Sequence, residues 1–277
     1  AEGWRRGALT RPILEPATPA ARLSSSASGC ADHAPQGLQL LLCSSQIAPE
    51  EFWKAVGGGD SVAMAYIPTA GMHLSPTSTS TRSPGERRSR QRASMRKRLE
   101  QIVGGLCDGE EKAIESHFLD LADPKASPAH VQEVLGSCDA VYVDGGNTFF
   151  LTHHARRMGL ASAIARSSTL RCYIGVSAGA ILTGQSIETA LWKGWDEPIP
   201  EVNVDDQENL QGFGWVGPVS FFPHFTRDWQ PVVESKLPAL GHSCILLGEE
   251  GEEEERPEDA ANGKLVTAEG SSCAVVT

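Results

Sequence analysis

Short continuous apolar runs alternate with more polar, helix-compatible segments along most of the chain. The runs predict strands at 38–43, 62–68, 116–121, 140–143, 172–176 and 244–248, with helices at 49–53, 95–103, 128–135, 148–157 and 160–165. Runs without polar alternation are typical of strands that are buried on both faces of a parallel sheet. The order of the elements therefore predicts an α/β fold, a three-layer sandwich with a mainly parallel central sheet.

The strand at 172–176 leads into a serine that lies between two glycines. In Gly175-Val176-Ser177-Ala178-Gly179 the glycines remove Cβ atoms that would clash at a tight strand-to-helix turn. Such a turn is a nucleophile elbow, which holds the serine hydroxyl at the carboxyl end of a central strand, beside free helix N–H groups. A strand that simply ends in a Ser/Gly turn fits this short pattern about equally well.

A second glycine-rich turn follows the strand at 140–143. Asp144-Gly145-Gly146-Asn147-Thr148 comes directly after it. Two glycines before Asn and Thr at a helix start leave main-chain N–H groups pointing into a cleft. Because the sites of parallel sheets lie outside the carboxyl ends of the strands, we expect Gly146 and Ser177 to lie close together. The turn is therefore a candidate oxyanion hole.

Together these motifs resemble the peptidase E (alpha-aspartyl dipeptidase) family of serine peptidases. The likeness runs from about Leu38 to the C-terminus and includes Leu40-Leu41-Leu42-Cys43-Ser44-Ser45, Tyr66-Ile67-Pro68-Thr69-Ala70 and Phe222-Pro223-His224-Phe225-Thr226. It implies a class I glutamine amidotransferase-like, flavodoxin-like fold in which serine replaces the usual elbow cysteine. It also implies a Ser-His-Asp triad of independent origin.

Within this resemblance, Ser177 matches the nucleophile, His224 the general base and Asp196 the acid of the triad. Asp196 precedes a Pro-Ile step, but it follows Ser177 by 19 residues, which indicates a short insertion. Other carboxylates are kept as alternatives for the acid: Glu188, Glu197 and Asp205.

The resemblance also implies main-chain and substrate-binding groups. The N–H groups of Gly146 and Ala178 match the two oxyanion donors, and Asn147 and Thr148 are candidate substrate-binding residues. A buried substrate carboxylate needs a cationic partner, since leaving it alone is costly. The candidate cations lie after the Pro-His-Phe motif: Arg227 first, and Lys236.

The chemistry of these residue types fits the implied roles. A serine hydroxyl becomes nucleophilic when a base accepts its proton, and an imidazole with an ordinary pKa of about 6.5 can do so near neutral pH. A carboxylate on the other ring nitrogen fixes the tautomer. The order Ser, Asp, His is also that of α/β-hydrolases. However, only 47 residues separate Ser177 from His224, which leaves little room for that fold's further strand–helix units.

The resemblance implies a serine exopeptidase that hydrolyses short peptides through an acyl-enzyme, with no metal or organic cofactor. Its expected substrates are dipeptides with an N-terminal aspartate. A cyanophycinase-like β-aspartyl peptidase is an alternative on the same fold, although Asn147-Thr148 favours the dipeptidase. A catalytically inactive binding protein of glutamine amidotransferase-like shape is the alternative from another class.

The composition excludes some classes of binding partner. The net charge of −11 argues against general nucleic-acid binding, and no apolar run in the sequence approaches the roughly 20 residues of a membrane helix. We therefore expect no nucleic-acid or membrane partner. The resemblance implies a small peptide as partner, and we expect a monomer or homodimer. The seven scattered cysteines show no metal-binding spacing, and we expect reduced thiols and a cytoplasmic location, or an organellar one if the leader is a transit peptide.

Three segments of biased composition mark the predicted leader and the predicted loops of the catalytic domain. Residues 1–36 form an Arg- and Ser-rich leader, disordered or targeting, before a single catalytic domain at 37–277. A low-complexity basic loop is expected at 76–94, running into a helix that begins at Met95. An acidic loop at 249–262 is expected inside a terminal hairpin whose later strands are 264–266 and 273–276.

Overall fold

The computed structural model describes residues 34–75, 80–107, 111–248 and 273–276. Its strands are β1 (Gln39–Cys43), β2 (Ser61–Ile67), β3 (Ala113–Phe118), β4 (Ala140–Val143), β5 (Cys172–Val176), β6 (Val219–Phe225), β7 (Ser243–Gly248) and β8 (Cys273–Val276). A six-stranded sheet has the order β3-β2-β4-β5-β1-β8. Strands β1 to β5 are parallel, and β8 is antiparallel to β1. Strands β6 and β7 form a separate parallel pair.

The helices are α1 (Pro49–Ala55), α2 (Pro84–Leu106), α3 (Pro128–Gly136), α4 (Thr148–Arg157), α5 (Leu160–Arg166), α6 (Ala178–Thr183) and α7 (Gln230–Leu240). One core cluster joins the sheet to α3, α4, α5 and α6. A second cluster joins it to α1 and α2. The sheet is thus covered on both faces, which confirms the predicted three-layer α/β fold. Within the described ranges, no helix is both long and apolar enough to cross a bilayer.

The strand order places three strand ends side by side. Cys43 of β1 lies opposite Val176 of β5, and Val143 of β4 lies opposite Gly175 of β5. The segments that follow these strands therefore leave the sheet at the same edge, because parallel strands share one direction. This edge holds Ser44, Ser177 and the glycine-rich turn after β4.

The predicted basic loop is wrong over most of its length. Helix α2 begins at Pro84, eleven residues before the expected start at Met95. Ser83 and Glu86 form a reciprocal capping box, and Pro84 occupies the first helical turn, where its missing N–H costs nothing. These local signals outweigh the polar composition that favoured a loop. Residues 76–79 lie outside the described part.

The predicted terminal hairpin is not formed between its two described strands. Strand β7 pairs with β6, whereas β8 pairs with β1 at the edge of the main sheet. The order of the strands along the chain therefore does not give their order in the sheets. The acidic loop and the strand expected at 264–266 lie outside the described residues, as does the leader up to residue 33. The extent of the single domain stays a prediction.

The cysteines differ in state. Cys107, Cys138, Cys172 and Cys244 are free thiols. Cys43 takes part in a disulfide, so the prediction that all seven cysteines are reduced is wrong at this position. Its main chain lies opposite Cys273 in the ladder between β1 and β8, a pairing that cysteine spacing along the chain does not reveal.

Candidate active site

Ser177 occupies a strained turn between β5 and α6. Its main chain has φ 50° and ψ −106°, and positive φ is uncommon for a residue that carries a side chain. A Cβ atom on Gly175 would lie 2.6 Å from the Gly179 carbonyl oxygen, and one on Gly179 would lie 2.2 Å from that of Val143. Strand, turn and helix therefore approach too closely for any residue but glycine at these two positions. The turn has the form of the predicted nucleophile elbow.

His224 reaches Ser177 from β6. Its Nε2 lies 2.9 Å from the Ser177 Oγ. His224 also has positive φ, 55°, at an irregularity in the β6–β7 ladder between Phe222 and Phe225. The distance and the two atoms suit transfer of the hydroxyl proton to a neutral imidazole. The structure thus brings together the two residues expected to be nucleophile and base.

Two side chains hold the irregular main chain around His224. The His224 N–H donates to the Ser44 Oγ at 2.6 Å, which links it to the end of β1. The Lys193 ammonium donates to the carbonyl oxygens of Pro223, at 2.8 Å, and of His224. Lys193 also lies 4.4, 4.5 and 4.9 Å from the ring centroids of three aromatic residues: Trp195, Phe222 and Trp229. The imidazole is therefore carried by a fixed segment, despite its unfavourable main-chain conformation.

Asp196 is tied to the start of α4. Its Oδ2 accepts a hydrogen bond of 2.9 Å from the Thr148 N–H. Burial raises the pKa of Asp196, and this is opposed by Thr148 and by the neighbouring His73 and His224. The Thr148 hydroxyl is close enough to favour the charged carboxylate, but it forms no well-shaped hydrogen bond within the described residues. Asp196 thus lies within electrostatic range of His224.

The alternative acids occupy different places. Glu197 is exposed and accepts a hydrogen bond of 2.8 Å from the Ser75 hydroxyl. Glu188 begins a short 3₁₀ turn, where its charge acts on His242. Asp205 is exposed in a turn. The electrostatic interaction between Asp196 and His224 therefore favours Asp196 as the candidate acid.

The expected oxyanion donors lie beside Ser177. A Cβ atom on Gly145 would be 3.1 Å from the Ser177 Cβ, so the glycine turn contacts the elbow. Gly146 has φ 134°, and a Cβ atom there would lie 2.4 Å from the Ala70 carbonyl carbon. In the described part of the chain, the N–H groups of Gly146 and Ala178 have no hydrogen-bond acceptor. Both remain available to a ligand.

The residues expected to bind substrate have different surroundings. Asn147 is buried and caps α4, since its Oδ1 accepts from the Phe150 N–H at 2.8 Å while its Nδ2 donates to the Glu197 carbonyl at 2.7 Å. Thr148 is buried beside Asp196. Arg227 is exposed at the start of the 3₁₀ turn that follows β6. Asn147 and Thr148 therefore order the loop around Asp196, and both candidate cations, Arg227 and Lys236, are exposed.

Sequence reasoning missed three residues around His224. Lys193 and Ser44 act on main-chain groups, a kind of contact that leaves no periodic signal in a sequence. Trp195 is 59% exposed, and its ring centroid lies 5.9 Å from that of His224. The position of this tryptophan directly before the expected acid was the signal that the sequence offered. Among the described residues, no three His, Cys, Asp or Glu side chains cluster as a metal site requires.

The fold and the site define an α/β protein with a serine nucleophile elbow at the carboxyl edge of its sheet. The model of Peptidase family S51 matches residues 110–260, more than half of the chain. The chain therefore belongs to this family, the peptidase E family of serine peptidases, and it is a peptidase.

Individual relatives agree with this assignment. The chain is 32% identical over 141 residues to the uncharacterized peptidase PM1590 of Pasteurella multocida, covering 48% of this chain and 68% of that one. It is 30% identical over 178 residues to the uncharacterized peptidase Lin0382 of Listeria innocua, covering 60% and 81%. A peptidase E of Shewanella baltica strain OS185 is 41% identical over 134 residues, or 48% of each chain.

A solved structure supports the fold. The crystal structure of a peptidase from an acI-B1 Actinobacterium superposes with a TM-score of 0.51 and 20% sequence identity. The match covers 77% of this chain and 81% of that one. At this identity the likeness bears on the architecture alone.

Proposed function

We propose that the chain is a serine exopeptidase that hydrolyses short peptides, and that its preferred substrates are dipeptides with an N-terminal aspartate. The observation that carries the proposal is the 2.9 Å contact between the Ser177 Oγ and the His224 Nε2. This contact is made between two residues in uncommon main-chain conformations. Such conformations persist where surrounding structure enforces them, and they concentrate at functional sites.

In the proposed reaction, the Ser177 Oγ attacks the carbonyl carbon of the scissile peptide bond, and its proton passes to the His224 Nε2. The resulting oxyanion accepts hydrogen bonds from the N–H groups of Gly146 and Ala178. Each such donor contributes about 3–4 kcal/mol to transition-state stabilisation in enzymes of this chemical type. These donors need no reorganisation, because the glycine turn is already packed on the elbow.

The imidazolium then gives its proton to the leaving amine, and the C–N bond breaks to leave an acyl-enzyme on Ser177. A water molecule, deprotonated by the same imidazole, attacks the ester carbonyl and releases the acid product and free Ser177. Asp196 stabilises the imidazolium that forms in both halves of the reaction. Its partial burial supports this role, since a charge acts more strongly in a poorly solvated site.

The aspartate preference rests on the family resemblance and on an exposed cation directly after β6. Arg227 begins the segment directly after the strand that carries His224, and its side chain is exposed. A guanidinium can bind a carboxylate through two parallel hydrogen bonds. Arg227 is therefore proposed to bind the side-chain carboxylate of the N-terminal residue.

The test is a panel of dipeptides and aminoacyl-p-nitroanilides that differ in the N-terminal residue, assayed with wild type and with Ser177→Ala in the presence of EDTA. We expect chelator-resistant turnover that favours aspartate and that disappears in Ser177→Ala. Turnover retained by Ser177→Ala would contradict the mechanism. Cleavage of β-aspartyl peptides alone would favour the cyanophycinase-like alternative over the dipeptidase. If Arg227→Ala affected acidic and neutral substrates equally, Arg227 would not be the residue that binds the substrate carboxylate.

A further inference from the structure

Helix α2 contacts the loops at the carboxyl edge of the sheet through one polar face. Four side chains at positions i, i+3, i+4 and i+7 make these contacts: Arg88 to the Ala122 carbonyl, Gln91 to the Gly71 carbonyl, Arg92 to Asp123, and Met95 against Gly71. Such spacing lies on one side of a helix. The basic helix is thus docked on the segments that follow β2 and β3, next to the candidate active site.

The next residue along this face is Arg98, which binds a buried carboxylate. Its Nε lies 2.5 Å from the Asp144 Oδ2 and its Nη2 lies 2.9 Å from the Oδ1, so the pair is bidentate. The Asp144 side chain is 1% exposed and that of Arg98 is 43% exposed. The Tyr66 hydroxyl donates to the same carboxylate at 2.5 Å. Asp144 is therefore a fully buried charge with a cationic partner supplied by α2.

Asp144 is joined directly to the glycine turn. Its Oδ1 accepts a hydrogen bond of 2.8 Å from the Gly145 N–H. On the other side of the turn, the Asn147 N–H donates to the Ala70 carbonyl at 3.0 Å. Between these two anchors lie Gly145 and Gly146, the residues with the greatest main-chain freedom. The carboxylate of Asp144 therefore anchors the start of the turn that carries the Gly146 N–H.

The charges around Asp144 favour a fixed arrangement of the Tyr66, Asp144 and Arg98 side chains. Burial, and then the negative charge of Asp144, raise the pKa of Tyr66, which keeps its hydroxyl protonated as a donor. The hydrogen bond to Asp144 is the main reason that the pKa of Arg98 is raised. Removal of Arg98 would leave a buried carboxylate without its cation, which is strongly unfavourable. Without Arg98, Asp144 would no longer be held in place, and the Gly145–Gly146 turn would lose its fixed anchor.

We propose that Arg98 and Asp144 act as one positioning unit that sets the Gly145–Gly146 main chain, and with it the oxyanion donor at Gly146. This inference rests on the proposed serine peptidase function. It gives the basic helix a role in the active site through a residue that touches neither the substrate nor Ser177. Arg98 and Asp144 are positioning residues, because they act through the glycine turn.

The test compares Arg98→Gln and Asp144→Asn with Arg92→Gln. Arg92 is a matched control, since it lies on the same helix, its side chain is 35% exposed, and it pairs at 2.7 Å with Asp123, outside the glycine turn. With aspartyl-p-nitroanilide as the probe, we expect kcat to fall about 10- to 100-fold in each of the first two variants, somewhat less than the loss of a whole oxyanion donor. We expect KM to change less than about twofold, and the double variant to be no slower than the slower single one, as for residues that act as a unit.

Chemical rescue separates positioning from folding. Arg98→Ala leaves a solvent-accessible space beside Asp144, and guanidinium chloride at about 10 mM, far below denaturing concentrations, should restore much of kcat. The same addition should not affect Arg92→Ala. Urea unfolding of every variant checks that the protein tested is folded.

Two results would overturn the inference. One is a folded Arg98→Gln protein whose kcat equals that of Arg92→Gln. The other is a loss of activity in Arg98→Ala that guanidinium does not restore while the protein remains folded. If Ser177→Ala kept the activity of the wild type, the proposed function itself would fail, and this result is distinct from either of the two.

Discussion

Replacement of Lys193 by methionine tests how the unusual main chain of His224 is held. Methionine keeps most of the length and the apolar contacts of the lysine stem but removes the ammonium. The variant loses two charge-assisted hydrogen bonds, to the Pro223 and His224 carbonyls, and the contacts with three aromatic rings. The segment that carries the imidazole then has only its N–H bond to Ser44 among these anchors.

The magnitudes follow from typical values. A hydrogen bond from a charged donor contributes about 1.5–3 kcal/mol, and a cation–π contact at a partly exposed site about 0.5–1 kcal/mol. These five contacts share one ammonium and are not additive, and the hydration that the ammonium gains when the protein unfolds offsets most of their nominal sum of about 4.5–9 kcal/mol. We therefore expect Lys193→Met to lower the free energy of unfolding by about 2 kcal/mol. A displacement of His224 on the order of 1 Å would lower kcat about 100-fold.

Two assays measure these effects. Urea unfolding gives the change in stability, and hydrolysis of the best substrate in the dipeptide panel gives kcat under conditions where both proteins are folded. Lys54→Met is a suitable control, because Lys54 is an exposed lysine on α1. If folded Lys193→Met had the kcat of the wild type, the lysine would not position His224, and the reasoning would be refuted.

Three further predictions concern the acid, the glycine turn and a half-buried histidine. Asp196→Asn should lower kcat about a thousandfold or more with little change in KM, because an amide cannot stabilise the imidazolium; pH–rate profiles would show whether another group replaces it. Gly146→Ala should abolish turnover, since the new Cβ would lie 2.4 Å from the Ala70 carbonyl carbon at a φ of 134°; an active, stable variant would contradict this geometry. Burial lowers the pKa of His154 to about 4, so the folded state binds fewer protons than the unfolded state between that pH and about 6.5. The contribution of the neutral His154 to the free energy of unfolding should therefore be fully present above about pH 6.5 and be lost as the pH falls towards 4. In urea unfolding at several pH values, His154→Gln should show a smaller decline.

The central sheet could be predicted because buried parallel strands are continuous apolar runs. The predicted strands at 140–143 and 172–176 have the observed bounds of β4 and β5. Both are buried along their whole length, so the pattern has no interruption. Strand β3 lies three residues earlier than expected, because all six of its residues are exposed or half-buried and an apolar run does not mark it.

Helix α2 and the terminal strands could not be predicted from apolar patterns. Only Leu99 and Leu106 of α2 are buried, and its docking depends on guanidinium and amide groups that a hydrophobic period does not reveal. The Ser83–Glu86 capping box was nevertheless a readable signal for the start of this helix. The pairing of β8 with β1 joins opposite ends of the chain, and no local feature of either strand specifies that partner.

The candidate site was predictable where its residues are part of local motifs. Ser177 and Gly146 follow strands in short glycine-rich turns, and His224 lies in the motif that resembles the family. The contacts that hold these residues are between distant side chains and main-chain groups, as with Ser44, which lies 180 positions before His224. Such contacts depend on the folded arrangement and carry no sequence pattern.

The most direct measurement is the rate at which a fluorophosphonate labels the protein, followed by intact-mass and peptide mass spectrometry. Only a serine activated by a neighbouring base reacts quickly with this reagent. We predict one adduct, on Ser177, in the wild type, labelling slowed at least about 100-fold in His224→Gln, and none in Ser177→Ala. Equal labelling rates in wild type and folded His224→Gln, or no adduct in folded wild type, would contradict a nucleophile activated by His224.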